Sequence, residues 1–181
     1  SKSGTAAYAV TDVARFTYTT VTSQSAADMM ATITDADNDF YFVACSDHSQ
    51  AFVLALSQDI QARTKQYWVS TQEQADLAVY SESATDTPSQ LKQEVRDRTF
   101  YWFHHDADTK FPEMEYISIL APYDAGKQLV ANNTTKIEAA RNPLTGNYLN
   151  TTDKTNLVNK NGSFTEVVGG VAITRQGSSS G

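Results

Sequence analysis

The chain has 181 residues, room for one sizeable domain, and its hydrophobic fraction of 40% is that of an ordinary globular protein. Against 21 Asp and Glu stand 14 scattered Lys and Arg, a formal charge of −7 without a basic stripe, which argues against a nucleic-acid partner. No apolar run approaches the ~20 residues of a membrane span, and the lone Cys45 excludes an internal disulfide.

The two ends, Ser1-Lys2-Ser3-Gly4 and Gly177-Ser178-Ser179-Ser180-Gly181, have linker composition. Residues 1–6 and 178–181 are therefore set apart from a single α/β domain over 7–177, and the chain, lacking an initiating Met, reads as a fragment of a longer protein. Residues 7–24, with Tyr8, Val10, Val13, Phe16 and Tyr18 among many Thr, predict an extended lead-in. Ser25 then caps a helix through Met29, Met30 and Ile33 that ends near Asp35, with Asp28 three residues after the cap.

The nearly continuous apolar run from Asp39 to Cys45 predicts a strand buried on both faces, and with it a buried, inert thiol. Asp47 or Ser49 opens a helix with Phe52, Val53, Ala55, Leu56, Ile60 and Ala62 at helical spacing, and Gln66 to Ser70 is a second strand, completing a β-α-β unit. A short helical or extended piece over 74–80 and a polar loop follow. The segment from Ser89 to Asp97 is then a helix through Leu91 and Val95, and Arg98 to Phe103 a third strand dense in aromatics.

From Phe111-Pro112 a helical stretch carries Met114, Tyr116, Ile117 and Leu120 on one side and ends by Pro122. The residues from Lys127 to Gly146 are poorly specified by sequence. Thr151-Thr152-Asp153 caps a last helix with Leu157 and Val158, and strands from Phe164 to Val168 and from Val171 to Arg175 meet at Gly169-Gly170, a pair suited to a tight hairpin. The fold class is α/β: a mostly parallel or mixed sheet with flanking helices and a closing β-hairpin.

His104-His105-Asp106-Ala107-Asp108 follows the third strand at the carboxyl end, where α/β sheets often place ligands, and His with a carboxylate suits metal ligation or general-base work. The plainer reading is a polar loop, because adjacent residues on an extended chain point to opposite faces. Asp35-Ala36-Asp37-Asn38-Asp39 opens like a calcium loop, but Phe40 stands where Gly is needed and Ser46 where a bidentate Glu is needed, which leaves a solvated connection. There is neither a nucleophile elbow nor a phosphate-binding glycine loop, and the clusters at Tyr67-Trp68 and from Phe100 to Phe103 read as core. No catalytic, cofactor-binding or metal-binding residue is assigned.

The run Ser25-Ala26-Ala27-Asp28-Met29-Met30 leads to Asp39-Phe40-Tyr41-Phe42-Val43, then to a helix and Tyr67-Trp68-Val69-Ser70-Thr71. In the same order come Asp97-Arg98-Thr99-Phe100-Tyr101-Trp102-Phe103-His104, Phe111-Pro112-Glu113-Met114-Glu115-Tyr116, and the close from Lys160 to Thr174. Taken together, over about residues 25 to 177, these segments resemble the core of the contractile tail sheath proteins of myoviruses. Two departures stand beside the likeness: Pro122 and Gly126 are separated with no Trp after them, and the chain stops soon after Gly177.

The resemblance implies a non-enzymatic subunit, without cofactor, that stacks in hexameric rings around a tail tube and slides to a wider lattice on contraction to deliver the genome. Its implied partners are copies of itself, tube and baseplate proteins, with no nucleic acid and no membrane. Its implied place is the virion, after assembly in the host cytoplasm. Family arms that add strands to neighbouring subunits are missing here, so this fragment is expected to be a monomer with an exposed sheet edge. Asp59, Arg63, Glu94, Arg96 and Lys136 are candidate contact groups. The alternative is a doubly wound enzyme or small-ligand domain using His104, Asp106 and Asp47, which requires a concave pocket around His104. An adhesion module, more often all-β, fits the helical periodicities poorly.

Overall fold

The computed structural model describes residues 24–121, 135–175 and 179–180. The extended lead-in expected over 7–24 lies outside them except for its last residue, as does the first part of the poorly specified stretch after Lys127. Five strands form one sheet in sequential order: β1 (Phe42–Val43), β2 (Gln66–Thr71), β3 (Thr99–Phe103), β4 (Ser163–Val168) and β5 (Val171–Arg175). The first four are parallel and β5 returns antiparallel to β4, so the expected α/β sheet with a closing hairpin is the architecture found. Gly169 (φ 59) and Gly170 (φ 83) both take the positive φ that a two-residue turn of this kind requires.

Helices α1 (Ala26–Ala36), α2 (Gln50–Gln61), α3 (Thr87–Gln93), α4 (Ala107–Lys110), α5 (Pro112–Leu120) and α6 (Thr151–Asn159) connect and cover the strands. Side chains alternate along β2 and β3, so each strand feeds two cores. Tyr67, Val69, Tyr101 and Phe103 join Met30, Leu56, Ile60, Leu91 and Leu157 in the larger one, while Trp68 and Trp102 meet Tyr116 and Leu120 of α5 in the smaller. No helix among the described residues is long and apolar enough to cross a membrane.

Several elements depart from the sequence reading. The strand expected from Asp39 to Cys45 is only Phe42–Val43, half-buried at the sheet's edge, and Cys45 is half-buried with it. The preceding backbone is diverted: Asp37 Oδ1 accepts from the Asp39 amide at 2.8 Å, and the Lys65 ammonium donates to the carbonyls of Asn38 and Phe40. Helix α3 starts earlier, with Asp86 accepting from the Ser89 amide and Pro88 in the first turn. It also stops earlier, because Val95 adopts φ 53 and stands exposed.

On α5 the buried face is Pro112, Glu113, Tyr116 and Leu120, and Met114 is exposed. Asn150, one residue before the expected Thr151, caps α6 in a reciprocal box with Asp153, and Val158 faces out. Ser180, in the linker-like tail, is buried and its amide donates to the Thr99 carbonyl at 2.7 Å.

Gly162 lies where α6 passes into β4. A Cβ there would sit 3.2 Å from the Leu157 carbonyl oxygen and 3.2 Å from the Tyr101 ring. Gly162→Ala is expected to lower the unfolding free energy by about 1–3 kcal/mol through overpacking. Urea denaturation measures it, and an unchanged midpoint would mean that the Tyr101 ring has room to move.

Candidate functional site

The His104-His105 pair does not sit on an extended chain. The strand ends at Phe103, the Ala107 amide closes a turn onto the His104 carbonyl at 3.2 Å, and the two imidazoles lie against each other with centroids 4.5 Å apart. His104 is fully buried. Its Nδ1 accepts from the Asp106 amide at 3.2 Å, so the proton sits on Nε2. Burial, reinforced by the neighbouring His105, lowers its pKa to about 4, which keeps it neutral and only weakly basic, with its one ring lone pair already taken by the Asp106 amide. His105 is lowered by burial too, and its Nδ1 accepts from the Arg141 amide at 3.3 Å.

This edge of the sheet also has an open cleft. A cleft of ≈ 460 Å³ is lined by Ser46, Asp47, His48, Ser49, Thr71, Gln72, Glu73 and Asp108. Of the residues singled out from sequence it takes in Asp47 and Asp108, and neither His104 nor Asp106. Hydrogen bonds from the Ser49 side chain and from the Ser49 amide, the latter at 3.0 Å, hold the pKa of Asp47 below the ordinary carboxylate value at the entrance to α2.

The centre of the cleft floor is His48, a residue that sequence reasoning passed over. Its Nδ1 is 2.9 Å from Asp108 Oδ1 and its Nε2 is 3.1 Å from Glu113 Oε1. Glu113 Oε2 accepts from the Ser70 hydroxyl at 2.5 Å, and Asp108 Oδ2 accepts from the Gln72 amide side chain at 2.9 Å. Ser70 therefore donates to a carboxylate and faces no base nitrogen, so this chain of bonds does not activate a nucleophile. Burial opposes a charge on His48, but its bonds to Glu113 and Asp108 outweigh burial and raise its pKa. The signal available in sequence was a histidine directly after an edge strand at a helix start; its partners lie 60 and 65 residues away.

A second buried network occupies the opposite face. Lys160 is fully buried and donates to Asp86 Oδ1 and to the Asp76 carbonyl, both at 2.8 Å. Asp76 Oδ2 accepts from the hydroxyls of Thr71 and Tyr101. Burial pushes the Asp76 carboxyl up to about 6 against those two bonds, so its contribution to stability is greatest below the ordinary carboxylate pKa and is lost as pH rises through about 6.

Among the described residues no group of three His, Cys, Asp or Glu is placed to hold a metal ion. In the calcium-like run, Asp37 and Asp39 form a local turn at the end of α1. The candidate contact residues pair with one another: Arg63 Nε with Asp59 at 2.6 Å and Arg96 with Glu94 at 2.7 Å, while Lys136 is exposed.

Lys160→Met strands a buried carboxylate and is expected to cost about 3–5 kcal/mol, whereas Arg63→Ala on its partly exposed helix pair costs at most about 1 kcal/mol. Chemical denaturation of the two variants checks this, and equal losses would contradict it. His104 has a depressed pKa, so its contribution is present above the ordinary histidine value and is lost as pH falls through about 4. Stability measured against pH should therefore fall less on the acid side in His104→Gln than in the unmodified chain, and parallel curves would mean that His104 does not titrate on unfolding.

Compared with protein-family models, curated proteins and solved structures, the chain matches none.

Proposed function

We propose that this chain is the core of a contractile phage tail sheath subunit, a structural protein of the virion that assembles with copies of itself in stacked rings around a tail tube. The observation that carries the reading is the mutual bonding of polar groups at the sheet's carboxyl edge. His48, Asp108, Glu113, Ser70 and Gln72 hydrogen-bond one another, as groups do that hold a fold rather than await a substrate. The ordered sequence segments that resemble the sheath core supply the identity of the assembly.

Two surface features favour self-packing. Among the described residues β1 has a strand neighbour on one side only, and such an edge can pair with another chain. The β4–β5 hairpin carries Val167, Val168 and Val171 about half exposed around its turn, apolar surface suited to a shaped contact between subunits of like negative charge. Rings of such subunits would slide to a wider lattice during contraction, with tube and baseplate proteins as further partners. The alternative, a ligand domain using His104, Asp106 and Asp47, finds Asp47 at the cleft, but His104 is buried and neutral and its Nδ1 already accepts from the Asp106 amide.

Electron microscopy of the full-length gene product, purified alone and concentrated, tests the proposal. Tubes or stacked rings of regular diameter are expected. A persistent monomer under those conditions would overturn the sheath reading and redirect attention to ligands of the His48 cleft.

A further inference from the structure

His48 belongs to the loop between β1 and α2, yet both of its ring nitrogens meet carboxylates from the segment after β3. A neutral imidazole has one N–H and one lone pair, so it donates to one carboxylate and sets a lone pair against the other. Only the imidazolium donates to both. Both carboxylates have a second anchor: Glu113 also accepts from the Ser70 hydroxyl, and Asp108 also accepts from Gln72, whose Oε1 accepts from the Asp108 amide at 3.3 Å.

The two carboxylates straddle an unusual corner. Between α4 and α5 stands Phe111 with φ 47 and ψ 58, a left-handed conformation that is strained for a bulky residue. Asp108 lies three residues before it and Glu113 two after, and the Phe111 ring packs edge-on against the His48 imidazole with centroids 5.4 Å apart. A single cation thus pins both arms of the corner, and the ring at its apex rests on the same imidazole.

We propose that His48 is a proton-operated clasp: protonated, it bridges Asp108 and Glu113 and holds the corner at Phe111 closed; deprotonated, it releases one carboxylate and the corner loosens.

The ionisable groups that face His48 agree with this. Its own loop contributes Asp47, α4 contributes Asp108 and α5 contributes Glu113, all acidic. From β2 comes the neutral Ser70, and the segment after it brings the neutral Gln72 and the acidic Glu73 to the same cleft. Since the histidine's pKa is raised, the clasp is complete below the ordinary imidazole value and is lost as pH rises through the higher folded value. The clasp is a property of the single chain and does not depend on the sheath reading.

The test is nuclear magnetic resonance of the 181-residue chain, following the His48 ring nitrogens together with amide exchange over residues 107–114, corrected for intrinsic rates. We expect both nitrogens to be protonated at about pH 6.5, the ordinary histidine pKa. Protection of 107–114 should fall severalfold as His48 titrates, while β3 amides hold. His48→Gln should remove the step. Asp108→Asn, at a side chain that is 56% exposed and hence tolerant, should move the midpoint to lower pH and serves where His48→Gln fails to fold. A single neutral tautomer at about pH 6.5, protection that stays flat through the titration, a midpoint unmoved in Asp108→Asn, or a step that persists in His48→Gln would each overturn the clasp.

Discussion

Two strands buried on both faces set the conditions for the rest of this fold. β2 and β3 place Tyr67 and Tyr101 against one layer of helices and Trp68 and Trp102 against α5 on the other side. Each large side chain removed from water contributes roughly 1.5–3 kcal/mol. Tyr116 of α5 stacks on Trp102 with centroids 4.1 Å apart and on Trp68 at 6.3 Å, while Trp68 also stacks on Phe100 of the neighbouring strand at 4.4 Å, so one ring from a single short helix joins both tryptophans of the thin second layer. The sheet cannot slip by one residue here without exchanging its two aromatic sets between cores of different size.

The same alternation decides where the polar groups go. Ser70 and Thr71 are adjacent at the end of β2, both buried, and point to opposite faces. A hydroxyl buried without a partner costs about 1–3 kcal/mol, so each nucleates a network on its own side. Ser70 meets Glu113, and through it His48 and Asp108; Thr71 meets Asp76 and Tyr101, beside the Lys160–Asp86 pair. The charged clusters at this edge are thus consequences of where the strands end. On the larger-core side, α6, the Asp76 turn and the start of α3 converge on one ammonium.

What could be read from the sequence follows the range of the forces involved. The strand character of β2 and β3, the Ser25 cap and the Gly169-Gly170 turn are local and legible. The run from Asp39 to Cys45 suggests a long doubly buried strand because its composition is the same in a central or an edge position, whereas Asp37 and, twenty-five residues from Phe40, Lys65 divert its start. Met114 fits the helical spacing of α5 equally well on paper, but the buried Pro112 and Glu113 rotate that helix so that Met114 points outward. His104 and His105 drew attention by adjacency, while His48 stood alone. Convergence in space is what assembles a polar cluster, and adjacency in sequence is a poor guide to it.

The buried ion pairs bear on how a sheath-type subunit would work. Such pairs add little net stability over well-packed apolar groups, and what they supply is a single permitted arrangement, since any other leaves a charge without its partner. Lys160 and His48 impose that condition on the two faces of one sheet, joining residues as far apart in sequence as Asp76 and Lys160. A subunit fixed in this way resists internal rearrangement. In two lattices built from it, the free-energy difference would have to reside in contacts at its surface, at the β1 edge and the Val167–Val171 hairpin.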